Sequence, residues 1–130
     1  MKNLKLNYEG FENNLLEVNE NDNVLGEGVQ YRFRFDNLYG ASIIKKYGSY
    51  GFEDDLWELA VLQFMRGWED KSFITYDTPI TNDVVGYLND EEVRDLLKQI
   101  QELNEDIIKQ HRKQMLLEEI EQLKDEAQRL

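Results

Sequence analysis

Every aromatic residue, every glycine and the single proline of this chain lie at or before Tyr87. Residues 88–130 contain none of them. Glycine and proline punctuate turns, and aromatics favour strands, so the first stretch reads as β-rich and the second as helix. The expectation is one α+β domain. A β-rich unit covers 1–88, with an antiparallel sheet of about four to five strands. One or two amphipathic helices cover 89–130 and either pack on the sheet or self-associate.

Within the first unit, LKLNY (4–8) alternates, with Leu4, Leu6 and Tyr8 on one face. Residues 9–27 carry six acids and no Lys or Arg, and read as an acidic loop with a short helix at FENNLLEV. VQYRFRF (29–35) alternates strictly, with Val29, Tyr31, Phe33 and Phe35 on one side and Gln30, Arg32 and Arg34 on the other. That is a half-buried antiparallel strand. DNLYG (36–40) is a turn and ASIIKKY (41–47) the next strand. LWELAVLQF (56–64) is apolar on both faces, which predicts a central strand covered twice. RGWEDK (66–71) connects it to SFITYD (72–77), and TPITNDVVGYLND (78–90) leads into the helices.

Asn89 is placed to cap a helix, and Glu92, three residues on, to complete a capping box. Val93, Leu96, Leu97, Ile100 and Leu103 then form an apolar face. Its phase breaks at Gln110 and Gln114. Either one helix drifts around its neighbour, or two helices meet near Asn104 or near KQHRKQ (109–114). Leu116, Leu117, Ile120, Leu123, Ala127 and Leu130 resume the pattern. A helical stripe of this kind requires a partner, so Leu116, Ile120, Leu123 and Ala127 are the expected self-association residues and a homodimer the expected product.

The net charge is −12 and the chain has no cysteine. The charge opposes direct binding to nucleic acid or to an anionic membrane and favours a basic protein partner. Lack of cysteine excludes disulfides, zinc ribbons and thiol catalysis. No apolar run reaches the ~18 residues of a membrane span, and MKNLKLNYEG lacks a signal-peptide core, so a cytoplasmic location is expected.

Candidate chemistry is sparse. Glu53, Asp54 and Asp55 are adjacent, and carboxylates on one turn cannot converge on one hard cation that needs about six oxygens. NENDN (19–23) lacks the glycine and closing glutamate of a calcium loop. GEG (26–28) is too short to cradle phosphate. His111 is the sole histidine and reads as a surface helix residue. Ser42, Ser49 and Ser72 carry no nucleophile motif. Tyr76, Asp77, Thr78, Thr81, Asn82 and Asp83 form the densest polar group. It reads as a turn around Pro79 braced by Asp77 and Asp83, with a ligand pocket as the rival reading. No catalytic residue, metal site or cofactor is expected, and Glu58 is expected to pair with Arg32 and Arg34 or with Lys45 and Lys46.

The segments NLYGAS, SYG, LWELAVL, YDTPIT and DVVGYL, within residues 28–103, resemble a family of small acidic phage and prophage proteins with no assigned activity. The resemblance implies a phage setting, in which small acidic proteins bind and block host machinery, anti-CRISPR proteins among them. The leading expectation is a non-enzymatic inhibitor of a basic, nucleic-acid-binding host protein, a CRISPR effector or nuclease, with DNA-mimicking carboxylates at Glu12, Glu17, Glu20, Asp22, Glu53, Asp54 and Asp55. The alternative is a phage structural or assembly protein that oligomerises through its C-terminal helix.

Overall fold

The computed structural model describes residues 2–23, 26–68 and 70–129, with backbone alone at 21–23 and 26. An antiparallel sheet runs in the order β1 (Leu15–Asn23), β2 (Gly26–Arg34), β3 (Tyr39–Lys45), β4 (Trp57–Phe64) and β5 (Ser72–Ile74). β6 (Val85–Leu88) also pairs with β4. Helices α1 (Asp90–Gln101) and α2 (Glu105–Gln128) follow. The fold is α+β, as the split at Tyr87 predicts.

The strict alternation of β2 sets the core. Val29, Tyr31, Phe33 and Phe35 are all buried, and register puts Ala41 and Ile43 of β3 and Leu59 and Val61 of β4 in the same rows. Val93, Leu97 and Ile100 of α1 close this face with no exposed surface. The capping box forms as expected: the Asn89 side chain accepts from the Glu92 amide at 2.8 Å, and the Glu92 carboxylate accepts from the Asn89 amide at 3.1 Å. Asn89→Ala should cost about 1 kcal/mol, read as a lower urea midpoint at unchanged slope.

Both faces of β4 are buried, and the second face is covered by curl. Arg32 of β2 hydrogen-bonds Ser72 of β5 at 2.8 Å and also pairs with Glu17 of β1. In a flat sheet β5 would stand about 14 Å from β2, three strand spacings away. The sheet therefore curls, and Arg32 and Arg34 lie 5.8 and 5.6 Å from the Phe64 ring. Gly40 permits the curl, because a Cβ there would strike the Phe33 carbonyl and the Phe64 ring.

Several expectations are corrected. The acidic stretch is not a loop: after a 3₁₀ turn at Glu12–Asn14 it forms β1, the edge of the sheet. Its composition is poor for strand, but β2 supplies a regular ladder from Glu17 onward. The alternation at 4–8 does put Leu4, Leu6 and Tyr8 against the core, but outside any strand. Residues 4–8 form an extended strap whose Leu6 is buried and whose Leu4 carbonyl accepts from the Tyr31 hydroxyl at 2.9 Å. DVVGYL is not merely a connection, since Val85–Leu88 is β6. β5 and β6 lie end to end on the free edge of β4, as one interrupted strand with residues 76–84 as an excursion.

The helical join falls at Asn104, whose side chain accepts from the Ile107 amide at 2.9 Å. Asn37 binds the end of α1, donating to the carbonyls of Ile100, Gln101 and Leu103. α2 starts on the core, with Ile108 buried, and then leaves it. From Arg112 to Arg129 every residue is exposed. At 1.5 Å per residue the whole helix is about 36 Å long. No described helix is long and apolar enough to cross a membrane.

Candidate functional site

The seven carboxylates expected on one contact face are not gathered together. Glu12 accepts from the Gly10 amide at 3.0 Å and serves its own turn. Glu17 is ion-paired with Arg32, and that hydrogen bond holds its carboxyl below the ordinary glutamate range. Both lie toward the end of the sheet where Leu15 pairs with Phe33. The side chain of Asp22 lies outside the described residues.

Glu20, Glu53, Asp54 and Asp55 belong to the other end. Glu20 pairs with Val29 and Val29 with Lys45, so the three form one row across β1, β2 and β3. Glu20 is thus about 10 Å, two strand spacings, from Lys45. Lys45 binds Asp55 at 3.0 Å and the Asn3 carbonyl at 2.7 Å. Burial alone would raise the Asp55 carboxyl. Hydrogen bonds from Lys45 and the Asn3 amide, with the charges of Lys45 and Lys2, outweigh it and hold the carboxyl low. Glu53 and Asp54 occupy a 3₁₀ turn (Phe52–Asp54) and stay exposed.

Glu27 joins this end. It is exposed and pairs with Asp22 across the β1–β2 hairpin. It lies in the stretch expected as an acidic loop and was not among the expected contact residues; its two-residue offset from Val29 was the signal that it shares a face with Glu20. Lys2 donates to the Glu53 carbonyl at 2.8 Å, while Lys46 stays exposed nearby. Glu58 does not pair with a strand base. Its carboxylate accepts from the Tyr50 amide at 2.9 Å and fixes the turn.

Three exposed tyrosines lie on the side of this end that carries Glu53 and Asp54. Tyr47 and Tyr50 lie on the β3–β4 connection, and Tyr87 on β6. The Tyr87 amide donates to the Tyr50 carbonyl at 3.3 Å. Gly86 packs so closely on Tyr50 that a Cβ there would meet the tyrosine side chain. Tyr87 itself has φ +59°, a left-handed conformation that a bulky residue adopts only under constraint. The loop thus holds aromatic rings in water on a braced backbone, beside Glu53 and Asp54.

The polar group around Pro79 is a latch. Hydroxyls of Thr75, Thr78 and Thr81 accept from the amides of Asp77, Ile80 and Asp83, so threonines rather than aspartates brace the excursion. Asp77 instead reaches α2, binding Arg112 at 2.7 Å, with His111 at 4.0 Å. His111 is mostly buried here, not a free surface residue. A cleft of about 620 Å³ opens beside this latch, lined by Tyr39, Gln63, Leu103, Ile108, Lys109 and Arg112. Burial there pushes the Tyr39 phenol up.

The four expected self-association residues, Leu116, Ile120, Leu123 and Ala127, are all exposed on the free part of α2, Leu116 by 57% and Leu123 by 59%. Compared with known proteins, the chain matches no family model, no curated protein sequence and no solved structure.

Proposed function

We propose that this chain is a non-catalytic binding protein that docks a basic protein surface through the acidic end of its sheet. The observation that supports this most is that the β3–β4 connection carries exposed carboxylates (Glu53 and Asp54) together with exposed tyrosines (Tyr47 and Tyr50, the latter braced against exposed Tyr87), with Glu20 and Glu27 exposed at the same end of the sheet. Carboxylates draw in Arg and Lys, and tyrosine faces hold them by cation–π contact. Tyrosine adds contact area at low entropic cost, as in many protein interfaces. In the phage setting the resemblance implies, the partner is a nucleic-acid-binding host protein, a nuclease or CRISPR effector, whose cationic surface the acids would occupy in place of phosphates.

Combining Glu20→Lys, Glu53→Lys and Asp54→Lys should weaken such a complex by at least about tenfold, about 1.4 kcal/mol, and reduce its sensitivity to salt. Tyr50→Ala should weaken it with little change in the salt slope. Equal affinity of the triple variant and wild type, measured by calorimetric titration, would end the proposal.

A second reading is favoured by a separate observation, the exposed apolar residues on α2. It makes the chain an assembly protein that pairs through that helix. Truncation after Leu103 would also remove buried Ile108. Truncation after Lys113 leaves Ile108 and the Asp77–Arg112 latch in place and should yield a monomer.

A further inference from the structure

We infer that the free part of α2 forms a parallel, two-stranded coiled coil with a second copy of this chain. The inference rests on the assembly reading above and specifies its geometry.

Leu116, Ile120, Leu123, Ala127 and Leu130 recur at alternating spacings of four and three, the a/d signature of a coiled-coil seam. The seam begins where the domain's hold on the helix ends. Upstream, Ile108 is buried and His111 and Arg112 face Asp77. At 100° per residue, the seam is centred about a quarter-turn from Ile108. A second helix can therefore lie along it without displacing the helix from its own domain.

The polar residues agree with this assignment. Gln114 binds Glu118, and Asp125 binds Arg129, each within one helix. In the register with Leu116 and Leu123 at d, these pairs fall at b, c and f, the outer positions. Glu119 falls at g and Lys124 at e, and both are exposed. They are five residues apart, too far for a pair within one helix, but they are the g-to-e′ partners of a parallel dimer. Reversing one helix to keep the same apolar layers would instead set Glu119 against Glu126 of the second copy and leave Lys124 facing Leu117. Charge selects the parallel orientation.

The described seam spans about two heptads, so association should depend on concentration. Sedimentation of the full chain across ~1–500 μM should show the mass rising from one chain, 15.5 kDa, toward two. Ile120→Asp should remain monomeric with an unchanged thermal midpoint for the domain, because Ile120 makes no part of its core. Glu119→Lys should weaken the dimer about tenfold, and adding Lys124→Glu should restore it. The chain lacks cysteine, so Leu123→Cys provides an unambiguous probe. It should form a disulfide-linked dimer on mild oxidation, whereas Glu118→Cys, on the outer face, should not. A single-chain mass throughout would overturn the inference. So would stronger association of Glu119→Lys, the mark of an antiparallel pair. None of these substitutions touches the acidic end of the sheet, so either failure leaves the proposal made for that surface standing.

Discussion

Trp57→Ala should destabilise the protein by about 3–5 kcal/mol, the largest loss expected from any single change considered. The side chain is 1% exposed. Its ring stands edge-on to Tyr31 at 5.7 Å, and its indole donates to the Asp90 carboxylate at 2.7 Å. The Lys45 ammonium lies 4.2 Å from its ring centroid. Asp90 opens α1 and also accepts from the Asn7 amide, so Trp57 joins the sheet, the helix and the N-terminal strap. Domains of this size are stable by only about 5–15 kcal/mol, so the loss is a large share of the total. Urea unfolding should show a much lower midpoint. Trp57→Phe keeps the ring and loses the indole hydrogen bond, and should cost about 1–2 kcal/mol. An alanine variant within 1 kcal/mol of wild type would mean that Trp57 does not join these elements.

Asp55→Ala should cost about 2–3 kcal/mol, chiefly by stranding Lys45. Lys45 is 3% exposed in its side chain and Asp55 is 42% exposed, so the figure is set below that for a fully buried pair. Lys45→Met removes the charge and keeps much of the packing on Trp57, and should stay within about 1.5 kcal/mol of wild type. The order of the two variants is the test. The Asp55 carboxyl is held low in the folded protein, so its contribution is present above the ordinary aspartate value near pH ~4 and is lost as pH falls through the folded value. Glu17 acts with the same sign. Asp55→Asn should therefore flatten the loss of stability on acidification below pH ~4, followed by thermal midpoints across that range. An unchanged acid limb would show that the pair with Lys45 carries no stability.

What the sequence made legible was periodic or capped. VQYRFRF alternates, Asn89 and Glu92 stand three apart, and both signals are local, so each element appears where its residues place it. β4 was recognisable as covered twice because its apolar residues fall on both faces. β1 and β6 were not legible. Leu15–Asn23 has one β-branched residue, Val18, and becomes a strand through its pairing with β2. β6 is four residues long with a left-handed tyrosine inside it, and only β4 defines it. The candidate surface was half legible. Acid content was plain, but which acids are consumed within the protein depended on Arg32 and Lys45 folding onto Glu17 and Asp55. Tyr50 and Tyr87 are 37 positions apart in the sequence and meet only through the end-to-end packing of β6 along β4.

The most direct test of the binding-protein account is a paired capture from a nuclease-treated bacterial lysate. Wild type and the Glu20→Lys, Glu53→Lys, Asp54→Lys variant would be run side by side at low and high salt, with quantitative mass spectrometry. The account predicts a basic, nucleic-acid-binding protein enriched by wild type at low salt, released at high salt and absent from the variant. Equal recovery of the same protein by the variant, or recovery by neither, would contradict it.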